Sequence, residues 1–392
     1  MKILFLSRWF PYPVNNGSKV RIYNLLRGLG PHHDVTLLSF VDQTGGRPEA
    51  SEIRSLCSEI VVVPWKEFEP GTWQARLGFL SLKPRSVIDT FSPAMAGAIT
   101  TAITGQKFDL VIASQLQMAA YYPYFQGIPA LFEELEIGLF HDRAFSPDGK
   151  IRLRHALTWF KYRYYLSRLF NGFRFISVAS ETERGLVTRN FPRHKDQVEA
   201  IPNCIDISEY SSANVEKKAN TVIFTGPFKY RVNYEAMLWF VGEVFPLVLK
   251  KIPDAKLVIT GDHENLPLPS SQNIILAGFV EDIKSLIASS VVAIAPLQSG
   301  GGTRLKILEA MAIGTPVVAT SKGAEGLDAK PGENLLVTDE PKMFASYVIN
   351  LLQDRALRDR ISINATSLVA EQYDCSKVML KFFGLIKEIA DR

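Results

Sequence analysis

A glycine-rich segment between two apolar runs carries the strongest chemical signal in the sequence. Residues 299–309 read SGGGTRLKILE and lie between apolar residues 291–295 and 316–319. Glycines let the backbone approach a ligand, and the start of a helix presents free N–H groups with partial positive charge. Because Arg304 and Lys306 add positive charge on the expected first helical turn, the segment predicts a diphosphate site.

An acidic side chain follows in the same segment. Glu309 lies three residues after Lys306, about one helical turn along and close to the same face. A carboxylate at that place can accept two hydrogen bonds from a ribose diol. Ligands of open α/β sheets bind at the carboxyl ends of parallel strands, where this segment is expected. The alternative is a tight turn that leads into an ordinary amphipathic helix.

A second candidate segment follows the first apolar run of the chain. Asn16, Gly17 and Ser18 precede a helical pattern that contains Arg21. Gly17 permits close approach of a substrate, Ser18 is expected to cap the helix, and Arg21 is expected to contact a phosphate or another group of a substrate. A surface salt bridge is the alternative role for Arg21. The pattern is not GxGxxG, so it does not predict a dinucleotide cofactor.

Three glutamates follow the fifth apolar run. Glu133, Glu134 and Glu136 can bind hydroxyl groups of a substrate or assist their deprotonation, and His141 and Asp142 lie nearby. Glu136 is our catalytic candidate, although the residues alone leave the choice among the three open. Capping or solvation of a loop is the alternative.

The elements that must position these residues alternate between strand and helix. Apolar runs separated by amphipathic segments predict parallel sheets covered by helices, in an α/β fold of two Rossmann-like domains facing a central cleft. The polar stretch 205–220 predicts a linker. We expect one domain at 1–205, a second at 206–375 and a C-terminal helix at 376–392 packing back toward the first. The apolar runs are residues 3–6, 35–40, 60–63, 110–113, 130–132, 175–178 and 198–201, then 221–225, 257–260, 273–276, 291–295 and 316–319.

Composition and charge exclude several classes of protein. The 392 residues are 47% hydrophobic and 21% charged, with a net charge of +4, which excludes a mainly disordered chain and argues against a nucleic-acid binder. Residues 1–205 carry 24 Lys and Arg against 18 Asp and Glu, whereas residues 206–392 carry 20 against 22. The basic half is therefore expected to contact something anionic.

The cysteines and the long apolar stretches lead to an expectation about the cellular location of the protein. Cys57, Cys204 and Cys375 are odd in number and far apart, which predicts neither a disulfide framework nor a zinc site, and Cys204 is expected to be structural. We interpret residues 110–132 and the stretch after 285 as buried strands with their loops, and find no signal peptide. A cytoplasmic protein, or one peripheral on the inner face of the membrane, is the expectation.

Residues 150–175 interleave basic and aromatic side chains and contain no acid. This pattern is typical of a helix on an anionic bilayer, with aromatic anchors and snorkelling cations. The alternative is a helix packed on the sheet through its aromatic face. The aromatic residues are Trp159, Phe160, Tyr162, Tyr164, Tyr165, Phe170 and Phe173.

Taken in order and spacing, the motifs resemble the retaining glycosyltransferases of the GT-B fold, family 4, and within it the bacterial exopolysaccharide-type sugar transferases. The resemblance spans nearly the whole chain and implies metal-free transfer of a sugar from a nucleotide donor. It also implies that the acceptor binds to the domain at 1–205, through Asn16, Gly17 and Arg21, and the nucleotide sugar to the domain at 206–375. The motifs are residues 299–320, 178–183 (VASETE), 201–206 (IPNCID), 224–226 (FTG), 259–261 (ITG) and 278–282 (GFVED).

The resemblance assigns roles to individual residues. Glu309 matches the family's second glutamate, which holds the donor ribose, whereas the first glutamate is replaced by Gly301. Sugar contacts are then expected from the main chain of Gly301, Gly302 and Thr303. The resemblance also implies donor contacts near Gly226, where Lys229 and Arg231 replace the family's Arg and Lys, and base contacts at Phe279 and Val280.

The resulting expectation is a hexosyltransferase that uses a UDP- or GDP-linked sugar and a carbohydrate or lipid-linked acceptor in cell-surface polysaccharide synthesis. No metal site is expected, because the sequence has no DxD triplet, and no cofactor beyond the nucleotide-sugar co-substrate. Arg304 and Lys306 are expected to stabilise the leaving group. One alternative is a nucleotide-sugar epimerase of the same fold. The other is a non-catalytic sugar- or lipid-binding partner, which is consistent with Gly301 in place of the first glutamate.

Overall fold

The computed structural model describes residues 1–14, 16–42, 52–145, 153–210, 215–269, 271–300 and 304–391. The chain divides into two compact units. Unit 1 comprises Met1–Pro202 and Met379–Arg392, and unit 2 comprises Asn203–Val378.

Unit 1 is built on a seven-stranded parallel sheet with the strand order β3-β2-β1-β4-β5-β6-β7. The central strands are buried along nearly their whole length, which explains why they are apolar on both faces. The strands are β1 Lys2–Ser7, β2 Asp34–Val41, β3 Glu59–Pro64, β4 Leu110–Ser114, β5 Ala130–Leu135, β6 Phe175–Val178 and β7 Val198–Ala200.

Helices cover this sheet, and the first begins at a side-chain cap. Asn16 Oδ1 accepts a hydrogen bond from the Lys19 backbone N–H at 3.0 Å, so Asn16 is the cap and the expectation that Ser18 caps the helix is wrong. The helices of this part are α1 Gly17–Leu29, α2 Trp73–Leu77, α3 Arg85–Asp89, α4 Pro93–Gly105, α5 Gln115–Ala119, α6 Gly138–Ala144, α7 Leu153–Leu169 and α8 Glu181–Asn190.

Unit 2 is built on a six-stranded parallel sheet with the order β10-β9-β8-β11-β12-β13. The strands are β8 Thr221–Thr225, β9 Lys256–Thr260, β10 Ile274–Gly278, β11 Val292–Ala295, β12 Val317–Ala319 and β13 Leu336–Val337. The helices are α9 Arg231–Trp239, α10 Phe245–Lys251, α11 Ile283–Ser289, α12 Leu305–Ile313, α13 Ser321–Ala324, α14 Pro341–Gln353 and α15 Arg355–Gln372.

The last helix, α16 (Cys375–Asp391), packs its unit 1 part on the end of α1. A side chain at Gly28 would meet the Met379 side chain at 2.5–2.8 Å, and the Phe383 ring lies edge-on to His32 and His33. Gly28 is therefore small because α16 passes directly over it.

One stretch of the described residues, Arg231–Lys251, is long and apolar enough to cross a membrane by length and composition. A π-helical turn, Phe240–Val244, joins α9 to α10 within it. Phe240, Phe245 and Val248 are fully buried in the core of unit 2. Burial on this scale is what the core helix of a globular unit requires.

The expectation that the cysteines form no disulfide is contradicted. Cys204 and Cys375 are paired as a disulfide with their Cα atoms 4.9 Å apart, across a sequence separation of 171. Backbone hydrogen bonds from Ile205 N–H to Tyr373 O and from Cys375 N–H to Ile205 O, each 3.0 Å, hold the two segments together. Spacing along the chain failed as a criterion because the fold brings distant segments into contact.

Thiol titration checks this pairing. Protein purified and denatured without reductant should show one reactive thiol, Cys57, and three after reduction. Removing the disulfide with Cys204→Ser should lower the free energy of unfolding by about 2–5 kcal/mol, because the unfolded chain loses a long-range constraint. In Cys57→Ser the unreduced count should fall to zero, and three thiols in unreduced wild type would contradict the pairing.

Candidate active site

The switch point of the unit 2 sheet lies between β8 and β11. From β8 the chain runs outward through β9 and β10, then returns to place β11 on the other side of β8. In open α/β sheets, ligands bind outside the carboxyl ends of the strands at this point. Gly226 directly follows β8, and the glycine-rich segment follows β11, so the sequence motifs flank the switch point.

Lys306 and Asn233 meet beside Gly226. Lys306 Nζ donates a hydrogen bond to Asn233 Oδ1 at 2.9 Å, and Asn233 Nδ2 donates to Pro227 O at 2.9 Å. Gly226 has φ 141°, and a Cβ there would lie 2.7 Å from Asn233 Nδ2 and 3.1 Å from Lys306 Nζ. Glycine is favoured at position 226 by the positive φ, and a side chain there would have to displace the ends of the Asn233 and Lys306 side chains.

Arg304 lies at the start of α12, one residue before its first turn. Its side chain is buried, and Nη2 donates to Gly300 O at 2.9 Å and Lys322 O at 3.0 Å. Glu325 Oε2 lies 4.0 Å from the same nitrogen. The guanidinium is therefore fixed by main-chain carbonyls at the positive end of the helix.

Lys306 is a buried cation whose hydrogen-bond partner is an amide oxygen, and no carboxylate among the described residues is hydrogen-bonded to its Nζ. Burial, reinforced by the charge of Arg304 and opposed by Glu309, lowers the pKa of Lys306 to about 7. Its Nζ also lies 4.4 Å from the centroid of the Phe224 ring. Two neighbouring cations that repel each other favour the binding of an anion.

Glu309 lies one turn along α12 and contacts Tyr210. The Tyr210 hydroxyl donates to Glu309 Oε1 at 3.3 Å, and Lys284 Nζ lies 4.4 Å from the centroid of the Tyr210 ring. Burial raises the pKa of Glu309 above its usual value, against the opposite effects of Tyr210 and Lys306. Glu309 thus presents a carboxyl group on the same helix as Lys306.

The other expected donor residues are not all brought to this cluster. Lys229 is exposed, and Arg231 is exposed and pairs with Glu235 at 2.7 Å. Phe279 is 88% exposed and follows Gly278, which has φ 64°, whereas Val280 is half-buried. The exposure of Phe279 shows that it is not part of the core. Gly301, Gly302 and Thr303 lie outside the described residues.

In unit 1 a buried ion pair joins α1 to β5. Arg21 Nε donates to Glu133 Oε1 at 2.5 Å, and both side chains are almost completely buried. Arg21 Nη1 donates to Ile201 O at 2.9 Å, and Ser114 Oγ donates to Glu133 Oε2 at 2.7 Å. Burial alone would lower the pKa of Arg21, but Glu133 and Glu134 raise it. The surface salt bridge considered for Arg21 is therefore wrong, because the pair is internal.

Glu134 lies beside this pair and bonds to Gln115. Gln115 Nε2 donates to Glu134 Oε2 at 2.9 Å and to Ser18 Oγ at 3.1 Å. Gln115 has φ 69° and Glu134 has φ 57°, so both residues adopt the left-handed conformation that favours glycine. Burial, followed by the charge of Glu133, raises the pKa of Glu134 to about 8.

The remaining acceptor candidates lie at the ends of these elements. Gly17 and Glu136 are exposed, and Asn16 is used as the helix cap. His141 Nδ1 lies 3.7 Å from Asp142 Oδ1, on α6. Within the part of the chain that the structure describes, no group of three or more His, Cys, Asp or Glu side chains could hold a metal ion.

Comparison with known proteins shows which families and structures the chain is similar to. Residues 219–354 match the model of the family described as glycosyl transferases group 1. An uncharacterized 44.6 kDa protein in the cps region of Klebsiella pneumoniae is 24% identical over 406 residues, covering 97% of this chain and 99% of the relative. The phosphatidyl-myo-inositol mannosyltransferase of Mycobacterium tuberculosis is 28% identical over 212 residues, covering 50% of this chain and 55% of the relative.

Among solved structures, HepE of Anabaena in complex with UDP and glucose aligns with a TM-score of 0.66 and 16% identity, covering 99% of this chain and 100% of that chain. The fold is GT-B, as predicted. The two units, each built on a parallel sheet, are the two Rossmann-like domains of that fold. The comparisons indicate a glycosyltransferase, and the similarity to the group 1 family lies at residues 219–354, within unit 2.

Proposed function

We propose that unit 2 binds the diphosphate of a nucleotide sugar at the start of α12. The observation that carries this proposal is the pairing of Lys306 with Asn233 next to buried Arg304, at the switch point of the sheet. Lys306 and Arg304 supply two positive charges where backbone N–H groups and the helix dipole add a third favourable term. A diphosphate with two negative charges or more is the ligand whose chemistry fits.

The same residues would promote departure of the leaving group. As the bond between the anomeric carbon and the diphosphate oxygen breaks, negative charge grows on that oxygen, and fixed cations stabilise it most at that moment. Arg304 is held by the carbonyls of Gly300 and Lys322 and needs no reorganisation. The proposed reaction is metal-independent and retains anomeric configuration, with attack of the acceptor hydroxyl on the face the diphosphate leaves.

The nucleoside would lie along the same edge of the sheet. Glu309 would accept hydrogen bonds from the ribose hydroxyls, and exposed Phe279 with Val280 would contact the base of UDP or GDP. Lys229 and Arg231 would approach the diphosphate only by side-chain movement, because both are exposed in the structure.

The acceptor, a carbohydrate or lipid-linked carbohydrate, is assigned to unit 1. Glu134 and Gln115 lie at the carboxyl ends of β5 and β4, on the side where ligands of parallel sheets bind, and Gly17 and Glu136 are exposed at the ends of neighbouring elements. Arg21 would act by fixing Glu133 rather than by contacting substrate. We place the activity in cell-surface polysaccharide synthesis, at the inner face of the membrane, with residues 150–175 contributing to membrane contact.

A donor-binding experiment tests the assignment of unit 2. Glu309→Ala should raise the KM for the nucleotide sugar by about tenfold to a hundredfold, because hydrogen bonds to a charged group are lost, while kcat falls less. Initial rates measured over a range of donor concentrations give both constants. Glu333→Ala, which removes an exposed glutamate paired with Lys330, is the matched control and should change KM by less than about twofold. An unchanged donor KM in Glu309→Ala would refute the ribose contact.

A further inference from the structure

A surface of unit 1 exposes large apolar side chains that no described element covers. It is formed by α2 and the loop that leads to α3, and we name it the 73–82 surface after its apolar residues. Such residues are normally buried, and a contiguous group of them marks an interaction site. The side chains and their exposed fractions are Trp73 (67%), Leu77 (53%), Phe79 (61%), Leu80 (90%) and Leu82 (49%).

Hydrogen bonds hold the 73–82 surface in its shape. Arg85 Nε donates to Ala75 O and Nη2 donates to Pro70 O, each at 2.7 Å, which ties α3 to the middle of α2 and to the segment before it. The Arg85 guanidinium lies 3.9 Å from the centroid of the Phe79 ring. The apolar side chains therefore lie on two short helices and a connecting loop that hydrogen bonds hold together, and Leu80 is in the loop.

Helix α7 extends the 73–82 surface. Lys161 Nζ donates to Phe79 O at 2.6 Å, which places the helix beside the loop. Leu157 and Phe160 on this helix are each more than half exposed. Trp159 and Tyr162, in contrast, are buried in the core of unit 1, so α7 has one face packed on the sheet and another toward solvent.

The aromatic residues expected to anchor residues 150–175 are therefore divided. Phe170 and Phe173 are buried together with Trp159 and Tyr162, and only Phe160 of the seven is largely exposed. The packed helix considered as the alternative accounts for most of them. The exposed apolar area lies chiefly on the 73–82 surface, which the sequence analysis did not single out.

Cations lie among the apolar residues of this surface, whereas the neighbouring acids lie just outside residues 70–88. These acids are Glu67, Glu69 and Asp89, of which Asp89 is buried and pairs with Lys66. Residues 70–88 contain Arg76, Lys83 and Arg85 and no acid, and residues 150–175 contain no acid either. Arg76 and Lys83 are exposed, as is Arg163 on α7. Apolar and aromatic side chains surrounded by cations complement a layer of hydrocarbon under anionic headgroups, where Trp prefers the boundary.

We propose that the 73–82 surface, with Leu157 and Phe160, inserts into the headgroup region of an anionic phospholipid bilayer. The proposal rests on the proposed function insofar as a lipid-linked acceptor gives the contact its use. Leu80 and Trp73 would enter the acyl boundary, and Arg76 and Lys83 would contact phosphates. The bilayer, rather than a protein, is favoured because the cations surround the apolar residues without any acid among residues 70–88.

Vesicle flotation tests the proposal with the full chain. Wild type should float with vesicles of phosphatidylcholine and phosphatidylglycerol, bind pure phosphatidylcholine weakly, and be released by high salt. Leu80→Glu should lower the bound fraction about tenfold, because a charge replaces the most exposed apolar side chain. Ile363→Glu, a similarly exposed position on α15, is the control and should bind like wild type.

Two further readouts separate the alternatives. Transfer to a short water-soluble acceptor should be unchanged in Leu80→Glu, so loss of vesicle binding is distinguishable from failure of the proposed chemistry. Failure of wild type to bind anionic vesicles, or equal loss in Ile363→Glu, would overturn the proposal. A wild-type dimer that becomes monomeric in Leu80→Glu would also overturn it, because the surface would then bind a second copy of the chain.

Discussion

Replacing Lys306 by Ala should lower kcat by about two to three orders of magnitude, the usual cost of removing one preorganised charge from a developing oxyanion. Lys306 Nζ is held at 2.9 Å from Asn233 Oδ1 and beside the Phe224 ring, so its position does not depend on substrate. The expected loss is larger in kcat than in donor affinity, because the charge on the diphosphate grows as the sugar departs. Initial-rate kinetics over donor concentration measure both.

The matched control is Arg355→Ala. Arg355 lies on α15, its side chain is 85% exposed and pairs with Asp359, so its removal should change kcat by no more than about twofold. Full activity in Lys306→Ala would refute the proposed leaving-group role. Equal losses in the two variants would mean that general positive charge, and not the Lys306 site, is what matters.

The pH dependence gives an independent readout of the same residue. Because the pKa of Lys306 in the free protein is lowered to about 7, the ammonium form is present below that pH and is lost above it. The wild-type kcat/KM for donor should therefore fall as pH rises through about 7, and this limb should be absent from Lys306→Ala. Bound diphosphate favours the ammonium form, so kcat should decline at a higher pH than kcat/KM.

The fold was predictable from the sequence because buried parallel strands need apolar residues on both faces. Every apolar run identified in the sequence forms a strand at nearly the expected bounds, and only β13, two residues long, was missed. Too short a strand carries no periodicity to recognise. Residues that are close together in the sequence could also be predicted as a group. Arg304, Lys306 and Glu309 were identified in one motif, and they lie together at the start and on the first turns of α12.

The partners of those residues were not predictable. Asn233 lies 73 residues from Lys306, and Tyr210 lies 99 residues from Glu309, in a stretch that composition marked only as a linker. Neither Asn233 nor Tyr210 belongs to a recognisable motif. An amide or a phenol that orients a charged group can come from any part of the sequence that the fold brings close. Gly226 gave one signal. A glycine at this position is consistent with another group lying close to the backbone, but it does not indicate which side chain that is.

Replacing Glu133 by Ala should lower the free energy of unfolding by about 3–5 kcal/mol, because it leaves the Arg21 guanidinium buried without its carboxylate. Both side chains are nearly inaccessible, and Ser114 loses an acceptor as well. Chemical denaturation measures the change. Glu181→Ala breaks an exposed Arg–Glu pair with Arg184 and should cost about 0–1 kcal/mol. Similar costs for both variants would contradict the account of Arg21 as internally fixed.

Glu134→Gln tests the carboxyl group of Glu134 separately from the Arg21–Glu133 pair. The pKa of Glu134 is raised to about 8 from an ordinary value near 4.5, so the folded state binds more protons than the unfolded state between these pH values. Stability should therefore fall as pH rises from about 4.5 to 8, by at most about 1.4 kcal/mol per pH unit for one group. Glutamine accepts the Gln115 hydrogen bond without titrating, so the variant should show a smaller decline than wild type. An unchanged slope would mean that Glu134 is already ionised at neutral pH, and that Gln115 and Arg21 outweigh its burial.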